Sequence, residues 1–124
     1  MTTDELTEIG VTPESIAIAV SSAPCSWVAT VDEEIVGFAM VDLDSGCLFA
    51  LFVLPEHEGR GIGTRLTHAC ESALFERHPA AWLETAQDSR AAQLYRYLGW
   101  SHEVEIGGGD VRLEKQRPVT ASSP

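Results

Sequence analysis

The chain has 124 residues and a formal net charge of −11, with 44% hydrophobic and 22% charged residues. This length suits one domain, and the apolar content excludes an intrinsically disordered chain. The longest apolar run, residues 47–54, is too short to span a membrane, and an acidic surface disfavours nucleic acid and anionic lipid. Because the first residues also lack a secretory signal pattern, we expect a cytoplasmic protein with no nucleic-acid or membrane partner.

Positive charge is confined to the second half of the chain. Residues 1–59 contain eleven acidic residues and no lysine or arginine, whereas residues 60–124 contain eight of each sign. An acidic half favours cationic partners such as amines, although it also serves solubility. The three cysteines form no Cys-x-x-Cys pair and no two histidines stand four residues apart, so we expect neither a metal site nor a disulfide framework.

The first predicted element is a helix over residues 12–20, because a threonine, Pro13 and an acidic residue follow one another as N-cap, N1 and first turn. Two β-rich runs, residues 25–31 and 35–43, then predict a hairpin. After a second turn, residues 47–54 form an apolar run that ends at a proline. This run predicts a buried central strand.

A glycine-rich turn leads from that strand into the next predicted helix. Apolar residues recur on one helical face over residues 62–77, and a short strand is predicted at 81–85. Asp88 or Ser89 can then cap another helix, which Gly99 is well placed to end.

The chain closes with a predicted hairpin of residues 100–106 and 110–114 across three glycines. The order is helix, three strands, helix, strand, helix and two strands. It predicts an α/β (α+β) fold with a mixed, mostly antiparallel sheet and flanking helices. We expect a single domain over residues 1–117 and a disordered tail over 118–124.

The strand, glycine loop and helix together predict an anion site. Gly59, Gly61 and Gly63 allow a phosphate to approach the main chain, and loop amides that lead into a helix N-terminus form an anion cradle. Arg60 and Arg65, the first two basic residues of the chain, also lie here. The Walker pattern and the dinucleotide fingerprint are both absent. The alternative is a tight turn that binds no ligand.

Two stretches of the chain resemble a known family. Residues 51–66 read LFVLPEHEGRGIGTRL and are similar to the Gln/Arg-x-x-Gly-x-Gly/Ala motif that binds acetyl-CoA in the GCN5-related N-acetyltransferases (GNATs). Residues 88–100 read DSRAAQLYRYLGW and resemble the family's Asn-x-x-Ala-x-x-x-Tyr-x-x-x-Gly-Phe/Trp element. The two stretches stand in the family's order with a predicted strand between them, and the resemblance extends over about residues 27–114.

The resemblance implies a GNAT-like fold and acetyl-CoA as the cosubstrate. The amides of residues 58–64 would bind its pyrophosphate, and its pantetheine arm would lie between strands 48–54 and 81–85. A main-chain N–H near Phe52 or Val53 would stabilise the thioester oxyanion. The resemblance matches the following residues to cosubstrate binding: Leu51, Phe52, Val53, Glu58, Gly59, Arg60, Gly61, Ile62, Gly63, Thr64 and Arg90.

The family transfers acetyl directly to an amine, which requires a base for the amine and an acid for the thiolate. Tyr95 matches the tyrosine that serves the family as general acid, although its helical face is also that of a core aromatic. Tyr97 lies about 200° further round the helix and is the less favoured acid.

Glu84 is the candidate base, on the strand before this helix. Some family members carry a glutamate near this position, and the alternatives are an exposed strand residue or a salt bridge to Arg90. Glu56 and His57, just before the glycine loop, are other candidates for the base.

Three features depart from the family pattern. Glu58 stands where the family prefers glutamine or arginine, and we expect Arg60 to offset its charge. Asp88 replaces the usual asparagine. The family's first strand has no clear counterpart before Val11, so either the domain is shortened or a partner subunit, as in a homodimer, completes it.

The resemblance thus predicts transfer of acetyl from acetyl-CoA to a primary amine of a small molecule or peptide, with no metal required. The acidic half favours a cationic acceptor. The alternative function is a catalytically silent module that binds acyl-CoA. A toxin of the same fold that acts on nucleic acid fits poorly with the net charge of −11.

Overall fold

The computed structural model describes residues 16–20 and 25–118, which form one seven-stranded sheet, two α-helices and a short 3₁₀ turn at Pro55–His57. The elements are β1 (Ile16–Val20), β2 (Ser26–Val31), β3 (Glu34–Asp42), β4 (Cys47–Val53), α1 (Ile62–Phe75), β5 (Ala80–Ala86), α2 (Arg90–Tyr97), β6 (Ser101–Gly107) and β7 (Asp110–Gln116). The strand order across the sheet is β1-β2-β3-β4-β5-β7-β6. The predicted mixed, mostly antiparallel sheet with flanking helices is confirmed.

The predicted N-terminal helix is wrong where it can be compared with the structure. Residues 16–20 form an edge strand that pairs antiparallel with β2, with Ile18 opposite Ala29. The sequence Ile-Ala-Ile-Ala-Val alternates large and small apolar residues, and this period of two suits a strand. Pairing with β2 therefore prevails over the capping signal at Pro13. That signal lies outside the described residues, as does the predicted tail from residue 119 onwards.

Among the described strands, β4 and β5 are the one neighbouring pair that is parallel, and they are joined by a single residue pair. β4 and β5 share the single residue pair Cys47–Trp82, where the Trp82 amide donates to the Gly46 carbonyl at 3.1 Å. Beyond this pair the two strands diverge, whereas β3 pairs with β4, and β5 with β7, along most of their length. The sheet therefore opens in its middle towards the carboxyl ends of β4 and β5.

A bulge in β4 lies next to this opening. Leu48 pairs with Val41 and Ala50 pairs with Met40, so Phe49 is an extra residue with no partner on β3. An extra residue bends its strand and increases the local twist. The bend coincides with the point where β4 leaves β5.

Both helices pack on the same face of the sheet. The largest fully buried side chains are Trp100, Ile62, Leu66, Leu74, Leu83, Leu113, Val36, Val41, Val111, Thr67 and Cys70. Glu71 of α1 is buried among them, where it accepts a hydrogen bond from the Trp100 indole at 2.9 Å and contacts the Lys115 ammonium at 3.1 Å. This contact ties α1 to β7 and to the turn after α2.

No element in the described part of the chain covers the opposite face. Phe38 of β3 and Phe52 of β4 lie there side by side, with ring centroids 5.8 Å apart and 39% and 45% exposed. Neither described helix has the length and hydropathy needed to cross a membrane.

Candidate active site

A groove of about 760 Å³ lies between the end of β4, the glycine loop and α2. Its walls combine apolar side chains of β4 and α2 with glycines and a few polar groups. The lining residues are Leu51, Phe52, Val53, Pro55, His57, Glu58, Gly59, Gly61, Gly63, Thr64, Arg90, Ala91, Gln93, Leu94 and Tyr97. A long, mostly apolar ligand with an anionic end suits this groove.

The glycine loop supplies the donors at one end of the groove. Gly59 and Gly61 both have φ +83°, a conformation that other residues rarely adopt, and open space surrounds both of them. Gly61 is the N-cap of α1 and offers no side chain to cap it. As a result, the amides of residues 59–64 have no acceptor among the described residues, and the helix adds its positive end to theirs.

The amide of Glu58 does not belong to this set. It donates to the Pro55 carbonyl at 3.2 Å and closes the 3₁₀ turn before the loop. The expected cradle of amides 58–64 is therefore narrowed to residues 59–64.

Local capping sets the position of α2 along the groove. The Ser89 hydroxyl accepts from the Ala92 amide at 3.0 Å, so Ser89 rather than Asp88 is the N-cap. At the other end, the Trp100 amide donates to the Tyr95 carbonyl at 2.9 Å across Gly99, whose φ is +101°. Together with the bond from the Gly99 amide to the Arg96 carbonyl at 3.1 Å, it forms a Schellman motif, which ends the helix after two turns.

Glu58 forms an ion pair with Arg90 rather than with the expected Arg60. A guanidinium nitrogen of Arg90 lies 2.5 Å from the Glu58 carboxylate, so the pair joins the glycine loop to the first residue of α2. The Glu58 side chain is 34% exposed and that of Arg90 is 83% exposed. The direct partner of Glu58 is thus Arg90, which comes from a separate element that the fold brings alongside the loop.

The family model for the acetyltransferase (GNAT) domain matches residues 22–102, which is more than half of the chain. The chain belongs to the GNAT acetyltransferase family. No curated protein matches the sequence significantly. The loop and α2, both of which line the groove, lie within the matched region of this GNAT domain.

Solved structures share the GNAT fold of this chain. PH1933 from Pyrococcus horikoshii OT3 is 26% identical, with a TM-score of 0.67 over 76% of this chain and 66% of that protein. The PaiA N-acetyltransferase of Thermoplasma acidophilum, solved with coenzyme A, is 19% identical, with a TM-score of 0.62 over 74% of this chain and 60% of that protein. A streptothricin acetyltransferase homologue from Bacillus anthracis str. Ames, solved with acetyl coenzyme A, is 16% identical. Its TM-score is 0.63 over 80% of this chain and 66% of that protein. This GNAT chain thus spans 60–66% of the length of these three proteins.

Most residues that were matched to cosubstrate binding line the groove, but Arg60 and Ile62 do not. Arg60 is exposed on the loop, whereas Ile62 is 1% exposed and belongs to the core. Gly63 has a packing role as well, because a Cβ there would lie 3.0 Å from a methyl of Leu94. A larger residue at this position would require the Leu94 side chain to shift.

Tyr95 lies in the core rather than on the lining of the groove. It is 4% exposed and its ring centroid is 5.9 Å from that of Trp100. Burial, together with the nearby thiol of Cys70, raises the pKa of the Tyr95 phenol well above its usual range. Tyr97 lines the groove and is 84% exposed.

Glu84 lies outside the groove, on the face of the sheet that the helices leave uncovered. It is exposed and pairs across strands with Arg112, which stacks on the Trp82 ring at 4.4 Å. Because Cys47 pairs with Trp82, the position two residues further along places Glu84 level with Phe49 across the opening. The alternative salt bridge from Glu84 to Arg90 is not formed, since Arg90 pairs with Glu58.

The two other candidates for the base differ in position. His57 lines the groove, and its Nδ1 is buried without a hydrogen-bond partner in the described part of the molecule. Glu56 is exposed and is not among the groove residues.

Four lining residues carried no predicted role: Pro55, Ala91, Gln93 and Leu94. His57 and Tyr97 were predicted only as a candidate base and as the less favoured acid. Arg90, Gln93, Leu94 and Tyr97 follow the i, i+3, i+4, i+7 spacing of one helical face, and this spacing is visible in the sequence. Within the described residues, no group of three or more histidine, cysteine, aspartate or glutamate side chains is placed to hold a metal ion.

Proposed function

We propose that this protein is an N-acetyltransferase that uses acetyl-CoA to acetylate a primary amine of a small molecule or peptide. The opening between β4 and β5 carries the proposal. Two parallel strands joined by one residue pair leave the β5-facing edge of β4 unpaired, next to a groove that ends at free loop amides. A pantetheine arm carries amides that can bond such an edge, and a diphosphate fits the amide cradle.

Charged and apolar groups of the groove would contact different parts of the cosubstrate. The amides of residues 59–64 and the guanidinium of Arg90 would bind the phosphates, while Leu51 and Val53 line the apolar part of the groove. An amide of β4 near Phe52 or Val53 would donate to the thioester oxygen as charge develops on it.

The reaction we propose is a direct transfer. The free amine attacks the thioester carbonyl carbon, a C–N bond forms, the C–S bond breaks and the thiolate leaves. Most alkylamines are protonated at neutral pH, so a base must accept a proton before or during attack, and the thiolate must receive one.

We assign Glu84 as the base and Tyr95 as the acid. Glu84 is level with Phe49 of the bulge across the opening, and it forms no ion pair with a described residue. Burial raises the pKa of the Tyr95 phenol above its usual range, so the phenol is protonated at neutral pH and carries the proton that the leaving thiolate would receive.

The acceptor we propose is cationic and approaches from the uncovered face of the sheet. Glu84 of β5 supplies an exposed carboxylate on this face, and the carboxylate of Asp42 in β3, which accepts from the Asp44 amide at 3.0 Å, adds negative charge nearby. Negative charge raises the local concentration of ammonium groups without selecting one amine among many.

Two measurements test the proposed function. Isothermal calorimetry should show binding of coenzyme A to the folded protein, and a thiol assay should show release of coenzyme A from acetyl-CoA that depends on an added amine. A panel of polyamines, aminoglycosides and lysine-containing peptides covers the cationic acceptors. A well-folded protein that gives no heat with coenzyme A would contradict the proposal.

One observation favours the alternative of a silent acyl-CoA-binding module. The expected acid, Tyr95, is 4% exposed and lies behind the groove residues. Tight binding of coenzyme A without turnover across the amine panel would select this alternative, whereas amine-dependent turnover would exclude it.

A further inference from the structure

The Glu58–Arg90 ion pair lies on the wall of the groove. Both residues line the groove, and they are 32 residues apart in the sequence. The pair therefore connects the loop that carries the free amides to the N-terminus of α2.

Arg90 is held by Glu58 alone in the part of the chain that the structure describes. Its side chain is 83% exposed, and Glu58 is the only described residue with which it forms a hydrogen bond or ion pair. Within residues 16–20 and 25–118, the position of the guanidinium beside the loop therefore depends on the Glu58 carboxylate.

The carboxylate also lies beside groups that favour an anion. The amides of residues 59–64 follow it directly in the chain, and α1 begins at Ile62. A negative charge at Glu58 opposes a phosphate at those amides and occupies the cation that a phosphate would use.

We propose that Glu58 is a specificity-determining residue that controls phosphate binding through Arg90. Glu58 holds Arg90 beside the groove, and the phosphates of the cosubstrate displace the carboxylate and pair with the guanidinium when they bind. Affinity for coenzyme A is thereby lowered, and the loss is confined to ligands that carry phosphates. This inference rests on the proposed function and concerns the same groove.

The test measures dissociation constants for coenzyme A and for pantetheine, which lacks the phosphates, at low ionic strength where screening is weakest. The proteins are the wild type, Glu58→Gln, Arg90→Gln and the double variant. Exposed ion pairs contribute up to about 1 kcal/mol, so Glu58→Gln should tighten coenzyme A binding about three- to fivefold. Arg90→Gln should weaken it by a similar factor, and pantetheine binding should change in neither variant.

The double variant separates control through Arg90 from simple repulsion. If Glu58 acts by occupying Arg90, Glu58→Gln should increase the affinity for coenzyme A less in the Arg90→Gln background than in the wild type. If Glu58 only repels phosphate, the gain persists or grows, because the carboxylate is then unpaired. A persistent gain would overturn the proposal, as would an equal effect of Glu58→Gln on pantetheine.

Glu76→Gln provides the matched control for net charge. Glu76 is exposed at the C-terminal end of α1, about 20 Å from the loop by helix rise, so its substitution should leave both affinities unchanged. If the wild type does not bind coenzyme A at all, the proposed function fails. If the wild type binds it and Glu58→Gln binds no tighter, only this inference fails.

Discussion

Glu71 of α1 and Lys115 of β7 form a buried ion pair in which both carboxylate oxygens lie 3.1 Å from the ammonium nitrogen. The same carboxylate accepts from the Trp100 indole, and the ammonium also donates to the Leu98 carbonyl at 2.8 Å. Three elements therefore depend on one charged contact, and this contact fixes the end of α2 against α1.

Glu71→Gln should lower the free energy of unfolding by about 2 kcal/mol, because it leaves the partly buried Lys115 charge without its partner. Urea denaturation followed by circular dichroism measures the change. The exposed Glu76→Gln should change the same quantity by less than about 0.5 kcal/mol. Equal stabilities of the two variants would show that the buried pair contributes nothing specific.

Gly61→Ala should weaken coenzyme A binding at least tenfold, because an alanine at φ +83° shifts the loop amides from their common direction. Gly108→Ala is the matched control. It also places alanine at positive φ, +66°, with open space around it, but it lies in the turn between β6 and β7. Both variants should lose about 1–2 kcal/mol of stability. Only Gly61→Ala should alter the calorimetric affinity, and parallel losses of affinity would refute the loop assignment.

Tyr95→Phe should reduce kcat about 100-fold and leave the affinity for coenzyme A nearly unchanged, since it removes a proton donor and little packing volume. Tyr97→Phe removes the exposed hydroxyl in the same helix and should keep kcat within about threefold. Steady-state thiol release gives kcat for both variants. Full activity of Tyr95→Phe, or a larger loss in Tyr97→Phe, would move the role of acid away from Tyr95.

Glu84→Gln should lower kcat/KM about 100-fold near neutral pH, where the amine needs a base. Raising the pH supplies more free amine, so the deficit of the variant should shrink as pH increases. Glu105→Gln, a neutral substitution on the exposed strand β6, serves as the control. A deficit that is constant with pH would indicate that Glu84 positions the acceptor rather than accepting its proton.

Stability should fall above about pH 9 because two core thiols resist ionisation. Burial raises the pKa of Cys47 to about 11 and that of Cys70 to about 12, from an ordinary value of 9.0. The folded protein keeps both protons while the unfolded chain loses them, so stability is unaffected below pH 9 and declines between pH 9 and these raised values. Each thiol contributes up to about 1.4 kcal/mol per pH unit.

Unfolding free energies at pH 8 and pH 10.5 measure this decline. Cys70→Ala removes the same packing at every pH, so its absolute stability does not isolate the effect of the thiol. The change of its unfolding free energy with pH does. The slope should be shallower than that of the wild type. Equal slopes would show that Cys70 does not contribute to the alkaline loss.

The strands and helices that follow residue 25 were predictable because their signals are local. The apolar run of β4, the glycine loop and the capping residues around α2 each act within a few positions of one another. At β1 the local signals conflicted: Pro13 and its neighbours favour a helix start, whereas residues 16–20 alternate as a strand. Pairing with β2 decided the outcome, and the residues before Ile16 do not encode this contact.

The contacts that define the groove could not be predicted from local patterns. Glu58 meets Arg90 across 32 residues, and Glu71 meets Lys115 across 44. The sequence also could not distinguish a buried Tyr95 from one that lines the groove, because Leu94 lies beside it and reaches the groove from the same helix. A helical spacing gives a direction around the axis, but the depth of a side chain depends on the neighbouring element.

The single Cys47–Trp82 pair joins the β1–β4 half of the described sheet to the β5–β7 half at one end only. The β5-facing amides of β4 beyond Cys47 have no bonding strand to protect them, so they should exchange hydrogen with deuterated solvent much faster than the amides of β3. A pantetheine-like molecule in the opening would act as an extra strand and slow that exchange. Tighter binding of such a molecule should therefore be accompanied by slower hydrogen exchange of the β4 amides.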